Sequence, residues 1–279
     1  MPKFPGLARR RKVSGMWEGD LWVALRAARA GAEEVLAGAG SAFLTQMKGI
    51  VDPVTEIDER AETAIRASIA SHFPDDSLLG EEGGGEGWQQ GRVWIIDPLD
   101  GTINFVHSLP HFSVSVALWD DGVPLIGVVI DVMRQEEFVA VRGEGARLND
   151  LPIGVSETPS MNESVIATGF PYDRRQHARE YLEVVANVLE IAQGIRRLGS
   201  AALDLAWVAC GRVDAYWEFG IKPWDAAAGT LLVAEAGGFV TDHRGASNNL
   251  DASACIASNG NIHDELRAIV SSGMPEHLR

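Results

Sequence analysis

Apolar runs of strand length alternate with stretches of helical period along most of this chain. Residues 20–36 are alanine-rich with apolar positions at helical spacing, and Asp20 stands where a carboxylate can cap them. Thr55 is placed as an N-cap with Asp58 three residues on, a capping-box pattern. That helix should run to about residue 72 and bury Ile57, Ala61, Ala64, Ile65 and Ile69. Residues 93–96 form a β-branched and aromatic run that reads as a buried strand. Pro98 cannot donate to a sheet ladder, so the strand is expected to end there. Residues 112–119 and 123–132 flank Asp120-Asp121-Gly122, which predicts a hairpin, and 137–141 and 146–148 continue the antiparallel pattern.

Past a polar stretch at 156–162 the rhythm changes. Strands are predicted at 164–167, 195–198, 213–218, 239–241 and 255–257. Helices are predicted at 177–193, 201–210, 225–236 and 262–270, the third stopped by Gly237-Gly238. No internal repeat is present. Strands mixed with helices in both halves predict an α/β (α+β layered) fold. Residues 1–17 carry Pro2, Pro5, Gly6 and Gly15 with a basic cluster, which predicts a flexible N-terminal arm. The boundary between halves is placed at 156–162, giving 18–155 and 156–279.

Composition narrows the partners. The 279 residues are 46% hydrophobic and 23% charged, as in an ordinary globule. A net charge of −15 argues against sequence-independent nucleic-acid binding and against anionic membranes. No apolar run reaches membrane-span length and no secretory signal is visible, so a cytoplasmic location is expected. Cys210 and Cys255 sit in apolar stretches and read as thiols of a reducing compartment.

The chemistry concentrates at Val93-Trp94-Ile95-Ile96-Asp97-Pro98-Leu99-Asp100-Gly101-Thr102-Ile103-Asn104-Phe105. Asp97 and Asp100 stand together at the mouth of a buried strand, where two anions repel and lose hydration. A divalent cation between them would relieve both costs. Gly101-Thr102 then open a short helix whose N–H groups could face an anion. Metal ligands beside an anion cradle suggest phosphoryl chemistry, and an Asp-rich turn without chemistry is the plain alternative.

Two further motifs decide between them. Gly80-Glu81-Glu82-Gly83 precedes the stretch, and Pro223-Trp224-Asp225-Ala226-Ala227-Ala228-Gly229 follows far downstream. In this order the three motifs resemble those of the inositol monophosphatase family of Mg²⁺-dependent phosphatases, from about Gly19 onward. The resemblance implies an αβαβα five-layer sandwich, of the inositol monophosphatase and fructose bisphosphatase type, with 18–279 as a single catalytic unit. It implies Mg²⁺ (two or three ions per site), lithium sensitivity, a homodimer and a small phosphorylated metabolite as partner. Inositol monophosphate is the expected substrate; histidinol phosphate, fructose bisphosphate and nucleotide phosphates are alternatives on the same scaffold.

The resemblance also distributes roles. Glu81, Asp97 and the Leu99 carbonyl would hold one metal, and Asp97, Asp100 and Asp225 a second. Thr102, backed by Glu81 and oriented by Asp58, would activate a water for in-line attack. Gly101 and Thr102 N–H groups would hold phosphate oxygens, and a water near Asp225 could protonate the departing alcohol. Gly199-Ser200-Ala201 and Glu218 would read the alcohol. Plainer alternatives exist: helix capping for Asp58, Thr102 and Asp225, a loop salt bridge for Glu82, and a solvated loop position for Lys48. A surface pairing with Lys222 is the alternative for Glu218, and structural roles are expected of His107 and His111. A haloacid-dehalogenase-type phosphatase would place its aspartates two apart, and here they are three apart. A non-catalytic binding protein on the same fold would show a lost metal ligand, and none of the four carboxylates is missing.

Overall fold

The computed structural model describes residues 17–41, 43–48, 53–85, 87–247 and 249–278. The arm expected over 1–17 therefore lies outside the described residues apart from Trp17. The first half runs α1 (Glu18–Gly38), β1 (Thr45–Met47), β2 (Pro53–Thr55), α2 (Glu56–Ala70), β3 (Ser77–Gly80), β4 (Arg92–Asp100) and α3 (Thr102–Val106). It continues with β5 (Ser113–Asp120), β6 (Val123–Asp131), β7 (Glu136–Val141), β8 (Gly145–Leu148) and β9 (Leu151–Pro152). The second half runs β10 (Val165–Thr168), α4 (Arg174–Leu189), β11 (Gly194–Arg196), α5 (Ala201–Ala209) and β12 (Ala215–Phe219). It closes with α6 (Pro223–Glu235), β13 (Phe239–Thr241), β14 (Ala254–Ser258) and α7 (His263–Ser272).

Strands β3 to β9 form a seven-stranded sheet in chain order, and β11-β10-β12-β14-β13 form a five-stranded mixed sheet. The layers follow from which residues share a core. Leu25, Val35, Ile57 and Ile65 of α1 and α2 pack with Trp94, Ile96 and Val116 on one face of the large sheet. Ile95, Ala117 and Val129 on its other face pack with Leu203, Leu205, Leu231 and Leu232 of α5 and α6. Beyond the small sheet, Tyr181 and Val184 of α4 join Trp217, Ile256 and Leu266. The order helix, sheet, helix, sheet, helix is the αβαβα sandwich expected. The middle layer is tight: a Cβ at Gly127 of β6 would come within 2.6 Å of the Ala228 carbonyl on α6.

Local signals act as their chemistry predicts. Thr55 Oγ1 accepts from Ile57 N at 3.1 Å and Asp58 accepts from Thr55 N at 2.8 Å, closing the capping box of α2. Asp121 and Gly122 have φ of 47° and 72°, the two positive values of the tight turn joining β5 to β6. Two expectations fail. Asp20 does not cap α1, which begins at Glu18; its carboxylate instead accepts from Arg92 Nη2 at 2.7 Å and ties α1 to β4. A charge-assisted bond across two elements outweighs a cap that exposed N–H groups can replace with water.

The second failure matters more. β4 does not stop at Pro98 but runs to Asp100, with its register shifting between Asp97↔Ser115 and Asp100↔Ser113. Three steps on β4 oppose two on β5, so a bulge absorbs the proline that has no N–H to offer the ladder. In a regular strand, residues three apart face opposite sides. The extra residue reverses that parity, and Leu99 turns to the α1–α2 core while Asp97 and Asp100 share the other side.

Candidate functional site

The pocket forms where the end of β4 meets the N-termini of α5 and α6. Asp97, Asp100 and Asp225 each bring a carboxylate oxygen to within 4.8 Å of the others. Asp97 is 1% exposed, and its Oδ1 accepts from Leu99 N at 3.0 Å. Asp100 is anchored from the other half of the chain. It accepts from Ser200 Oγ at 2.5 Å, Ala202 N at 2.8 Å and Ala201 N at 3.3 Å, at the start of α5. Asp225 lies in the first turn of α6 and accepts from Lys222 N at 3.2 Å, so its capping role coexists with its place in the trio. Glu81 lines the same pocket.

Burial pushes the Asp97 carboxyl well above the usual range, and the charges of Glu81, Asp100 and Asp225 push it further. Burial also raises Asp225, with Asp100 and Glu81 adding to it. Among the described residues no cation is bonded to the trio. Lys48 instead bridges Glu81, at 3.1 Å, and Glu82. Glu82 is thus in the loop salt bridge expected of it, and Lys48 is more than a solvated loop residue. A cluster of buried and half-buried, mutually repelling oxygen donors without imidazole or thiol fits a hard divalent cation such as Mg²⁺.

Thr102 and Asp58 meet beside the trio. Thr102 Oγ1 lies 3.1 Å from Asp58 Oδ1 and 3.0 Å from the Leu99 carbonyl. Asp58 is fully buried; its Oδ2 serves the helix cap while Oδ1 faces Thr102, so capping and positioning are divided between two oxygens. Gly101 has φ of 96° and Gly199 φ of 94°, and a Cβ on Gly101 would come within 3.1 Å of the Gly199 carbonyl. Asn104 Nδ2 locks the two turns by donating to the Leu198 and His111 carbonyls at 2.8 and 2.7 Å. Ser200 and Ala201 line the pocket, but Ser200 spends its hydroxyl on Asp100.

Glu218 stands on β12 against Gly169, where a Cβ would collide with its carboxylate at 1.9 Å. It accepts from the Tyr216 hydroxyl and is not paired with Lys222. Burial pushes its carboxyl up to about 7, against the Tyr216 bond and the Arg197 charge. Phe170, Tyr172, Arg174, Arg197 and Asp204 also line the pocket and were not foreseen. The paired arginines Arg174-Arg175 after β10 and Arg196-Arg197 beside the Gly199 turn are the signals the sequence offers.

His107 is exposed, and His111 is buried edge-on to Trp207 with ring centroids 5.2 Å apart. Burial, helped by Arg134, lowers His111 from the ordinary 6.5 to about 4. Between those values the unfolded chain takes up a proton that the folded chain refuses. Its contribution to stability is therefore complete above pH 6.5 and lost as pH falls toward 4, by up to about 3 kcal/mol. His111→Gln should flatten this acid-side fall; an unchanged slope in urea melts across that window would remove the assignment.

Known proteins resemble the chain over nearly its whole length. A Pseudomonas aeruginosa protein named Nus factor SuhB is 41% identical over 264 residues, 92% of this chain and 97% of that protein. The extragenic suppressor protein suhB of Bartonella henselae superposes with a TM-score of 0.87 at 37% identity, covering 92% of this chain and 100% of that one. The inositol monophosphatase of Anabaena gives a TM-score of 0.83 at 38% identity, covering 94% and 99%. The model of the inositol monophosphatase family matches residues 18–274. With its three motifs gathered into one carboxylate-lined pocket, the chain belongs to the inositol monophosphatase family.

Proposed function

We propose that the chain is a Mg²⁺-dependent phosphatase that hydrolyses a small phosphorylated polyol, inositol monophosphate first among the candidates. The observation that carries this reading is the trio of buried Asp97 and Asp100 and half-buried Asp225 set beside Gly101 and Thr102. Glu81, Asp97, the Leu99 carbonyl, Asp100 and Asp225 would hold two or three ions. Such ions, when bound, supply charge neutralisation and acidify water. The chain's own residues do the rest. Asp58 fixes the Thr102 hydroxyl, which with Glu81 orients the attacking water and accepts its proton toward the carboxylate. Gly101 and Thr102 N–H groups hold phosphate oxygens, and the Asp225 end of the pocket receives the departing alcohol. The same reading takes 18–279 as one catalytic unit, working as a lithium-sensitive homodimer in the cytoplasm.

Comparing kcat/KM with Mg²⁺ on inositol monophosphate, histidinol phosphate, fructose bisphosphate and a nucleotide phosphate tests the substrate. A preference for any of the last three by tenfold or more would replace the inositol assignment. Glu218→Ala should cost about 1.5–3 kcal/mol on the polyol, or roughly ten- to a hundredfold in kcat/KM, because its carboxylate can accept from vicinal hydroxyls. An aryl phosphate lacking those hydroxyls should be nearly unaffected. Equal losses on both would make Glu218 a support of the fold.

The relatives named Nus factor favour a second role, recognition of a protein partner. Such a role would use a surface and survive Asp97→Asn, whereas hydrolysis would not. A partner lost together with the pocket carboxylate would count against a separate surface.

A further inference from the structure

A second group of metal-competent side chains lies outside the pocket, where the start of α4 meets the turn at residues 276–278. Asp173, His177 and His277 place one donor atom each within 4.8 Å of the others. We propose that these three residues form a separate site for an imidazole-seeking divalent cation such as Zn²⁺, pinning the 276–278 turn to the head of α4.

The donor set differs in kind from the catalytic one. Two imidazoles and a carboxylate suit Zn²⁺, Co²⁺ or Ni²⁺, whereas Mg²⁺ prefers oxygens alone. Zn–N distances of about 2.0–2.1 Å put tetrahedral donors roughly 3.3 Å apart. Asp173 Oδ2 and His277 Nε2 are already 3.1 Å apart. The rings of His177 and His277 stack at 3.7 Å, 22° from parallel.

The surroundings hold the donors as metal ligands are usually held. His177 Nδ1 is 2.8 Å from Glu180 Oε1, which leaves Nε2 as the ring nitrogen for an ion. A ligating histidine typically gives its other N–H to a carboxylate. Tyr181 donates to Asp173 Oδ1 at 2.7 Å and orients the acid. The backbone of α4 departs from helical values at His177, with φ −117° and ψ 19°, so the ring is not carried on a regular helical turn. Asp173 also sits between Tyr172 and Arg174, both of which line the phosphate pocket. An ion here would fix the loop that forms the pocket's outer wall.

Cobalt reports the site directly. Co²⁺ is titrated into the full chain with excess Mg²⁺ present, using wild type, Asp97→Asn, His177→Ala and His277→Gln. A four-coordinate site with imidazole ligands gives intense visible bands; a six-coordinate oxygen site gives weak ones. The intense bands should saturate at one equivalent in wild type and Asp97→Asn, disappear in both histidine variants, and be displaced by Zn²⁺. Zn²⁺ should also raise the Tm of Asp97→Asn but not that of Asp97→Asn with His277→Gln. Wild type without those bands, or bands retained in both histidine variants, would overturn the proposal. Neither result bears on the phosphatase reading, which rests on different residues.

Discussion

Asp97→Asn is expected to abolish hydrolysis and, in the metal-free protein, to raise the melting temperature. Both halves follow from one location. The charges of Glu81, Asp100 and Asp225 all act on Asp97, so on the proposed reading a pair of ions in the pocket would share it. Losing one preorganised electrostatic contributor costs on the order of 10²–10³ in kcat, and a shared ligand should cost more. Without ions, however, its carboxylate is a buried anion among anions. An amide of the same shape keeps the acceptor used by Leu99 N and removes the charge. Each kcal/mol recovered should shift Tm by about 2–4 °C for a chain of this size. Phosphate release and thermal melts on the same preparation decide it. A folded variant with near-normal kcat would remove the two-ion arrangement.

Stripping divalent ions should eliminate turnover, and Mg²⁺ alone should restore it. Among the described residues no cation is bonded to the trio, so a phosphate dianion approaching that end of the pocket without ions would meet three carboxylates, with Arg174 and Arg197 elsewhere on the wall. The chain's net charge of −15 deepens that barrier. The same repulsion predicts a stability effect that needs no substrate. An ion that binds only the folded chain adds about 2.7 kcal/mol at a hundredfold excess over its Kd. Mg²⁺ should therefore raise Tm in wild type and much less in Asp97→Asn. Full turnover in excess chelator after exhaustive dialysis would sink the metal-dependent reading.

Local chemistry was legible in the sequence and long-range pairing was not. The Thr55–Asp58 box and the Asp121-Gly122 turn act over a few residues, and local residue order alone reveals them. The order of the three motifs was readable because each concentrates acids beside glycine or proline. The bulge after Asp97 was not readable. A proline in a strand argues for termination, and only the partner strand shows that the ladder resumes at Asp100. Asp20 was misread for a similar reason: its partner Arg92 arrives from a distant strand. Ser200 looked like a group facing the alcohol, but its hydroxyl turns to Asp100, a contact between residues a hundred positions apart. The pocket lining at Phe170, Tyr172 and Arg174 follows a short strand, where Gly169 and a lone Asp173 form no clustered motif.

Glu81, Asp97 and Asp100 come from the large sheet and its loop, whereas Gly169 to Arg174, Arg197 and Glu218 come from around the small one. On the reading proposed above, reactivity rests mainly on the first set and selectivity on the second, with Asp225 of α6 the one reactive carboxylate from the second half. On that reading, a lineage could exchange the loop after β10, or the side chains at 174 and 218, and meet a new phosphorylated metabolite without disturbing Asp97 and Asp100. The reverse is not open to it. Asp100 is held by the first turn of α5, so drift at Ser200 would be felt at the bond-breaking end even though Ser200 belongs to the other side. Diversification in this architecture should accordingly be written into the 169–174 loop and β12, with the Gly199-Ser200 turn held constant as the seam.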